Sequence, residues 1–392
     1  MKIIYYSPHP THDIVSEVGY ATHQRETIDA LKGLGVDVLP LIIGGASLNE
    51  MPYKTGKPTE HSGLKKWIKK IVPTFLWISL KDLKMILNDK KSAEKLKIAI
   101  KEFQPDLVYE RSEYLLCHSL KVTKQAGVKH FFEINAPFVE EMSKMEGKSF
   151  FTFLGHYIEM KKYQSADKIF VVSTVLKEFI KKKYHIFEQK IIVSPNRINS
   201  DSFLNKGKGL DLNINSDGSP IIGFVGSILP HHYLDFLIEA FAVLVNDKIK
   251  AKLLVVGEGS LLDSLKQKAK DLKIQDFVKF TGKIQHSEVR NYINLMDICV
   301  MPGSNWYGSP IKIFEYGILG KPIIAPDNGP VNDVMEQMKD GVLIKHELKD
   351  LVDAMKLLLR DENLRNELGK NFKTKIMNEY TWEKAAHLII NQ

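Results

Sequence analysis

Short apolar, β-branched runs alternate along this chain with longer stretches in which apolar residues recur every three or four positions. Runs of the first kind predict strands, and the 3.6-residue recurrence predicts helices. In the first half the strand-like runs are "KIIYYS", "VDVLPLI", "DLVYE", "HFFEIN", "KIFVVS" and "KIIVSP", and between them lie stretches such as "ATHQRETIDALKGLG", "CHSLKVTKQAG" and "VLKEFIKKKY". Strand, crossover helix and next strand, repeated in this way, build a parallel sheet covered by helices. The pattern lapses over 205–220, "NKGKGLDLNINSDGSP", which gathers Gly, Asn, Asp and Ser as a linker does. It restarts with "PIIGFVG", "KLLVVGEG", "VKFTG", "DICVMPG", "PIIAPD" and "DGVLIK". The expected class is α/β, with two Rossmann-like domains at 1–205 and 206–375 and a final segment at 376–392.

Length agrees with this division, since 392 residues exceed one ordinary core and fit two domains. No window holds the roughly 18 uncharged apolar residues that a spanning helix needs. The opening "MKIIYYSPHP" reads as a first strand and not as a signal peptide, so a cytosolic location is expected. Cys117 and Cys299 lie far apart inside apolar runs and read as reduced core thiols. The net charge of +8 is concentrated: residues 63–103 hold eleven lysines against four acids. Trp67, Phe75, Trp77 and several leucines are interleaved with those lysines, the composition of a helix lying on an anionic membrane face, with Pro73 interrupting the pattern. The alternative is a partly apolar lid. No nucleic-acid motif accompanies the basic charge, and nucleic acid is not an expected partner.

In open parallel sheets, ligands sit beyond the carboxyl ends of the strands, where glycine lets the backbone approach and helix N-termini face the crevice. Gly226, Gly257, Gly259, Gly282 and Gly308 stand at such ends in the second half, and Gly19, with Thr22 and His23, in the first. The most telling stretch is 308–330, "GSPIKIFEYGILGKPIIAPDNGP". Ser309 and Pro310 suit an N-cap and a first helical position, and Ile311, Phe314, Ile318 and Leu319 then recur at helical spacing. Lys312 in the first turn adds a full charge to the positive end of the helix dipole, which makes a seat for phosphate. Glu315, one turn beyond Ile311, can accept hydrogen bonds from two adjacent hydroxyls, as acidic residues do on a ribose. Phosphate and ribose together describe a nucleotide; the alternative is a capped crossover helix with Glu315 solvated or paired with a lysine.

Taken in order, "GYATH", "LVYERS", "FFEINAPFVEE", "ADKIFVVS", "IIVSPN", "IIGFVGS", "LLVVGEG", "VKFTGKI" and above all "SPIKIFEYGILGKPIIAPDNGP" resemble the motifs of the retaining GT-B glycosyltransferases of family 4. The resemblance runs from "IIYYSPHP" to "YTWEKAAHLII". It implies the GT-B architecture, two Rossmann-like domains with parallel sheets facing a central cleft, and a last helix, from Trp382, that crosses back to the N-terminal domain. It also implies transfer of a sugar from a nucleotide diphosphate sugar, UDP- or GDP-linked, in the C-terminal domain. The acceptor, a glycan, a lipid-linked molecule or a small molecule, would be held mainly by the N-terminal domain, with configuration retained, in glycan or glycolipid assembly. By this resemblance Glu315 binds the ribose, and the amides around Gly308, Ser309 and Pro310 bind the diphosphate. Gly19 lets its loop approach the donor, Lys283 and Ile284 border the base, and Gly226 and Gly257 stand on the donor side.

Four positions depart from the family pattern. Many members carry two glutamates eight residues apart, and Tyr307 occupies the place of the first. The usual Arg and Lys after the first C-terminal strand read Ser227 and His232, which leaves Lys312 as the replacement cation, with a partly protonated His232 assisting. Asn135 in "EINAP" stands where many members have histidine; an amide orients a sugar hydroxyl but takes no proton.

Arg111, Glu133 and Asn196, with His23, are expected on the acceptor side, although Arg111 and Asn196 could equally tie down loops. Glu140 and Glu141 suit a solvated helix start, and His9 and His12 polar loop positions. No Asp-x-Asp pair or metal-spaced His or Cys cluster occurs in the sequence, so neither a metal nor a cofactor beyond the donor is expected. The rival readings are a sugar-nucleotide epimerase of the same architecture and a non-catalytic nucleotide-sugar-binding subunit.

Overall fold

The structure, a computed structural model, describes residues 1–16, 19–45, 73–199, 203–204 and 217–392. Residues 63–72 of the lysine-rich segment and 205–216 of the linker lie outside the described residues. Two compact units emerge, Met1–Ser194 with Ala385–Gln392, and Pro195–Lys384. The sequence placed these divisions at 205 and 375.

In the first unit, six parallel strands follow the order β2-β1-β3-β4-β5-β6. They are β1 (Lys2–Ser7), β2 (Asp37–Ile42), β3 (Leu107–Arg111), β4 (Lys129–Ile134), β5 (Lys168–Val171) and β6 (Ile191–Val193). Alternation of side chains along each strand gives the sheet two apolar faces. Ile3, Tyr5, Leu107 and Tyr109 pack with Ile28 and Leu31 of helix Gly19–Gly33, and Ala386 and Ile389 from the end of the chain join that core. Ile4, Tyr6 and Val108 point the other way, onto Leu96, Ala99 and Ile100 of helix Thr74–Phe103. Pro73 does not interrupt this helix. It is the N-cap, a position where its missing N–H costs nothing, and the helix then runs 30 residues.

The second unit repeats the plan in the order β12-β11-β10-β7-β8-β9. Its strands are β7 (Ile221–Val225), β8 (Lys252–Val256), β9 (Val278–Phe280), β10 (Ile298–Val300), β11 (Ile323–Pro326) and β12 (Val342–Ile344). Ile222, Phe224, Leu253 and Val255 pack under helices Leu234–Asn246 and Leu348–Arg360. Val225, Leu254 and Val256 pack on the other face against Ile313, Phe314 and Tyr316 of helix Ile311–Ile318. The twelve strands coincide with the strand-like runs in the sequence; the central ones are buried on both faces, while the edge strands β2 and β9 are only partly covered.

Candidate functional site

The order of the second sheet reverses between β10 and β7. At such a switch point the connections leaving the two strands turn to opposite faces, which opens a crevice at the carboxyl ends. Gly226 follows β7 there, at φ +143°, and a Cβ on it would stand 2.2 Å from Cε of Lys312. The lysine stem lies across this bare peptide, with Nζ 5.4 Å from the Phe224 ring centroid. Gly257, after β8, is held as closely, since its Cβ would stand 2.1 Å from the Gly226 carbonyl oxygen.

Lys312 Nζ lies 2.9 Å from His232 Nε2. His232 Nδ1 donates to the Ser227 carbonyl oxygen at 2.6 Å, which leaves Nε2 as acceptor for the ammonium. Burial, then the charge of Lys312, then His231, push this imidazole down to about 3. His232 is therefore neutral and holds the lysine in place, a correction to the expected partly protonated assistant. Burial lowers Lys312 itself to about 8, with Glu315 pulling the other way.

Helix Ile311–Ile318 starts one residue later than the sequence suggested, with Pro310 at the N-cap and no side-chain cap. Ser309 is otherwise engaged: its Oγ accepts the Asn196 N–H at 3.0 Å, and Asn196 Nδ2 donates to the Ser309 carbonyl at 2.6 Å. Asn196 thus belongs to the second unit, beside the helix start, rather than to the expected acceptor side. The Gly308 N–H donates to Asn305 Oδ1 at 2.6 Å, so that amide is also taken. Of the anion seat the sequence predicts, the first-turn amides of Ile311 and Lys312 remain, with no acceptor within the helix. The Tyr316 hydroxyl accepts the Val225 N–H at 2.9 Å and ties the helix to the end of β7.

Glu315 is buried on this helix, and His286 Nε2 approaches its Oε1 at 3.6 Å. His286 was not among the sequence candidates; it stands in "GKIQH", three residues past Lys283. Lys283 is exposed and faces Glu258 at 3.7 Å, while Ile284 packs partly onto the core beneath helix Ile311–Ile318. Tyr307 is buried, with the Trp306 ring edge-on to it.

The first sheet reverses between β1 and β3, and a second cluster forms at that point. Glu133, at the end of β4, is its hub. Oε1 accepts from Arg111 Nη1 at 2.7 Å and from Asn135 Nδ2 at 2.7 Å, and His23 Nδ1 stands 3.5 Å away. Oε2 accepts from the Tyr109 hydroxyl at 3.2 Å. Burial pushes the Glu133 carboxyl up, but His23, Arg111 and the Asn135 and Tyr109 hydrogen bonds outweigh it and hold the group below its ordinary range. Gly19 begins the helix that carries His23. Four of the acceptor-side and catalytic candidates, His23, Arg111, Glu133 and Asn135, are thereby one bonded group.

Two sets of possible metal ligands come together in the first unit, His9 with His12 and Glu113, and Asp89 with Cys117 and His118. In each set one ligand, Glu113 or Asp89, lies far in sequence from the other two, so spacing alone could not show it. In the second set Asp89 Oδ2 already accepts the Cys117 and His118 amides at 2.7 and 2.8 Å, as a helix cap does, and burial pushes the Cys117 thiol up to about 11. In the first set His9 Nδ1 accepts the Thr11 N–H at 3.2 Å, which leaves its proton on Nε2. Both cysteines are free, Cys299 buried and Cys117 half-buried at a helix start rather than in the core.

Residues 212–375 match the family described as glycosyl transferases group 1. The chain is 24% identical over 316 residues to a UDP-Gal:alpha-D-GlcNAc-diphosphoundecaprenol alpha-1,3-galactosyltransferase of Escherichia coli, a match spanning 78% of this chain and 79% of that one. It is 26% identical over 174 residues to a GDP-mannose-dependent alpha-(1-6)-phosphatidylinositol monomannoside mannosyltransferase of Mycobacterium tuberculosis, covering 43% of this chain and 45% of that one. Among solved structures, Anabaena HepE in complex with UDP superposes with a TM-score of 0.71 at 13% identity, over 100% of this chain and 99% of that one. With its two six-stranded parallel sheets and a superposition over its full length, the chain has the GT-B fold, and its residues 212–375 match the group 1 glycosyl transferases.

Proposed function

We propose that this chain moves a sugar from a nucleotide diphosphate sugar, UDP- or GDP-linked, to an acceptor hydroxyl, with retention of configuration and without a metal ion. The observation that carries the reading is the seat at the β7 switch point, where Lys312 lies over Gly226 in front of the first-turn amides of helix Ile311–Ile318. A diphosphate set there meets a cation and oriented N–H donors, and Glu315 stands one turn further on for the ribose hydroxyls. Lys283 and Ile284 border the base. Similarity to proteins whose names specify UDP-Gal and GDP-mannose, and to one solved with UDP, supports a nucleotide-sugar donor.

As the bond from the anomeric carbon to the phosphate oxygen breaks, charge grows on the leaving diphosphate, and preorganised donors stabilise it more in the transition state than in the ground state. The acceptor oxygen attacks the same face, and its proton passes to the departing phosphate oxygen. In this reading His23, Arg111, Glu133 and Asn135 form the acceptor side, where Glu133 and Asn135 orient the hydroxyl. The relatives' names point to a lipid-linked acceptor, and this reading places the transfer in glycan or glycolipid assembly, with the enzyme reaching it from the cytosol at a membrane face. Among the described residues no helix is long and apolar enough to cross a membrane.

A thermal-shift panel of UDP-, GDP-, ADP- and dTDP-sugars tests the donor, and slow hydrolysis of the stabilising one tests catalysis. Stabilisation without turnover, with or without acceptor, points to the non-catalytic binding subunit.

A further inference from the structure

Helix Thr74–Phe103 has one apolar face too many. Ile78, Leu96 and Ile100 are buried. At about 100° per residue, Leu76, Leu80, Leu83 and Leu87 fall within an arc of roughly 60° on the opposite side of the helix. They are 43%, 59%, 41% and 62% exposed. Phe75 continues this surface onto the next segment through its ring, 4.1 Å from that of Phe150, and Phe150 and Phe153 are themselves 65% and 84% exposed. Exposed aliphatic and aromatic side chains in so continuous a patch mark an interaction surface.

The charges around it select the partner. Lys84, Lys90, Lys91 and Lys97 lie on both sides of the leucine arc, within roughly 40° of its edges, and all are exposed. Two of the four acids on the helix are turned inward: Asp82 accepts from Ser149, and Asp89 accepts the Cys117 amide at 2.7 Å. Of the helix's own acids only Glu94 and Glu102 are exposed, beside seven exposed lysines, one of which, Lys81, pairs with Glu146. A second copy would bring lysine against lysine, which disfavours a leucine-zipper pairing of this face.

We propose that this face, Leu76, Leu80, Leu83 and Leu87 with Phe150 and Phe153, docks on a bilayer bearing anionic phospholipid, the leucines entering the headgroup boundary and the lysines meeting the phosphates. The inference rests on the lipid-linked reading of the acceptor and gives it a membrane-contacting surface. Residues 63–72 play no part in it.

Co-sedimentation of the full chain with phosphatidylcholine vesicles, with and without phosphatidylglycerol, tests it. Wild type is expected to bind only the anionic vesicles and to release with added salt. The Leu80→Ser/Leu87→Ser double variant should lose about tenfold or more in vesicle affinity, keep its melting temperature, and keep its stabilisation by the nucleotide sugar. Failure of wild type to bind anionic vesicles overturns the proposal, as does undiminished binding by the double variant. A leucine-dependent dimer in sedimentation velocity, with no vesicle binding, overturns it too and makes the face an interface between copies. A retained nucleotide response in any of these cases leaves the donor reading standing.

Discussion

The ammonium of Lys312 and the bare Nε2 of His232 face each other at 2.9 Å, and the imidazole is fixed from behind by the Ser227 carbonyl. A lysine held by a neutral acceptor keeps its charge available to a third party. Burial sets its pKa at about 8, so below that pH it meets a diphosphate as a cation. A bound diphosphate favours the protonated form and raises this pKa, so binding takes up protons above pH 8 and affinity falls as pH rises through that value. Isothermal titration with the stabilising nucleoside diphosphate should show this decline, and Lys312→Met should weaken binding at neutral pH and abolish the slope. The free nucleoside should bind both proteins alike; equal losses for nucleoside and diphosphate would remove Lys312 from the phosphate seat.

Gly226 makes this arrangement possible. Gly226→Ala adds a Cβ at φ +143° into the stem of Lys312, so both the backbone and the lysine must move. Strain of this kind costs about 1–3 kcal/mol. Gly218 offers the control, because it also has positive φ, +67°, but nothing lies within 4 Å of where its Cβ would stand. Gly218→Ala should lower the melting temperature and leave nucleotide affinity intact, whereas Gly226→Ala should lower both. If both variants keep full affinity, the lysine's position does not matter to the donor.

Glu315 is proposed to hold the ribose and not the phosphate, and two ligands can tell these apart. Its carboxylate faces His286 and sits one turn into the helix, away from the first-turn amides. Glu315→Ala should cost about 1.5–3 kcal/mol of nucleoside diphosphate affinity, the range for hydrogen bonds to a charged group, and leave inorganic pyrophosphate binding unchanged. Competition between the two ligands measures both at once. A parallel loss of pyrophosphate would mean that Glu315 shapes the seat and does not hold a sugar hydroxyl.

The strands were legible because parallel strands, most of them buried on both faces, read as largely apolar β-branched runs, and every such run became one. The helix behind Gly308 was legible for its period, but its first residue was not. Ser309 has the side chain of an N-cap, and only the fold brings Asn196, far away in sequence, close enough to claim its hydroxyl. The same holds for His286 with Glu315, brought together from a turn and a helix, and for His12 with Glu113, from two loops, pairs with no sequence spacing to announce them. His232 was misjudged because protonation depends on what surrounds the ring, and the nearby lysine charge and burial appear only in three dimensions. The outward leucines of helix Thr74–Phe103 were present in its periodicity, but two apolar stripes on opposite sides look like a helix that is apolar throughout until one side is seen to be covered.

The Glu133 hub gives the first unit its own test. Its carboxylate is buried and holds Arg111, Asn135, Tyr109 and His23 around it. Breaking a buried ion pair from one side costs about 3–5 kcal/mol, because the remaining charge stays buried without its partner. Arg111→Met should therefore destabilise strongly, and Arg111→Met with Glu133→Gln should cost less than Arg111→Met alone. The pH dependence follows from the direction of the Glu133 shift. A carboxyl held below its ordinary value contributes stability that is fully present above that ordinary value and is lost as pH falls through the lowered one. Arg111 is one of the groups that hold it down, so in Arg111→Met the acid-side fall of melting temperature should begin at higher pH than in wild type. Thermal unfolding followed across the acid range by circular dichroism measures both effects. An unshifted acid limb in Arg111→Met would mean that Glu133 is held ionised by His23 and the neutral donors, and Arg111 would then be left to the acceptor.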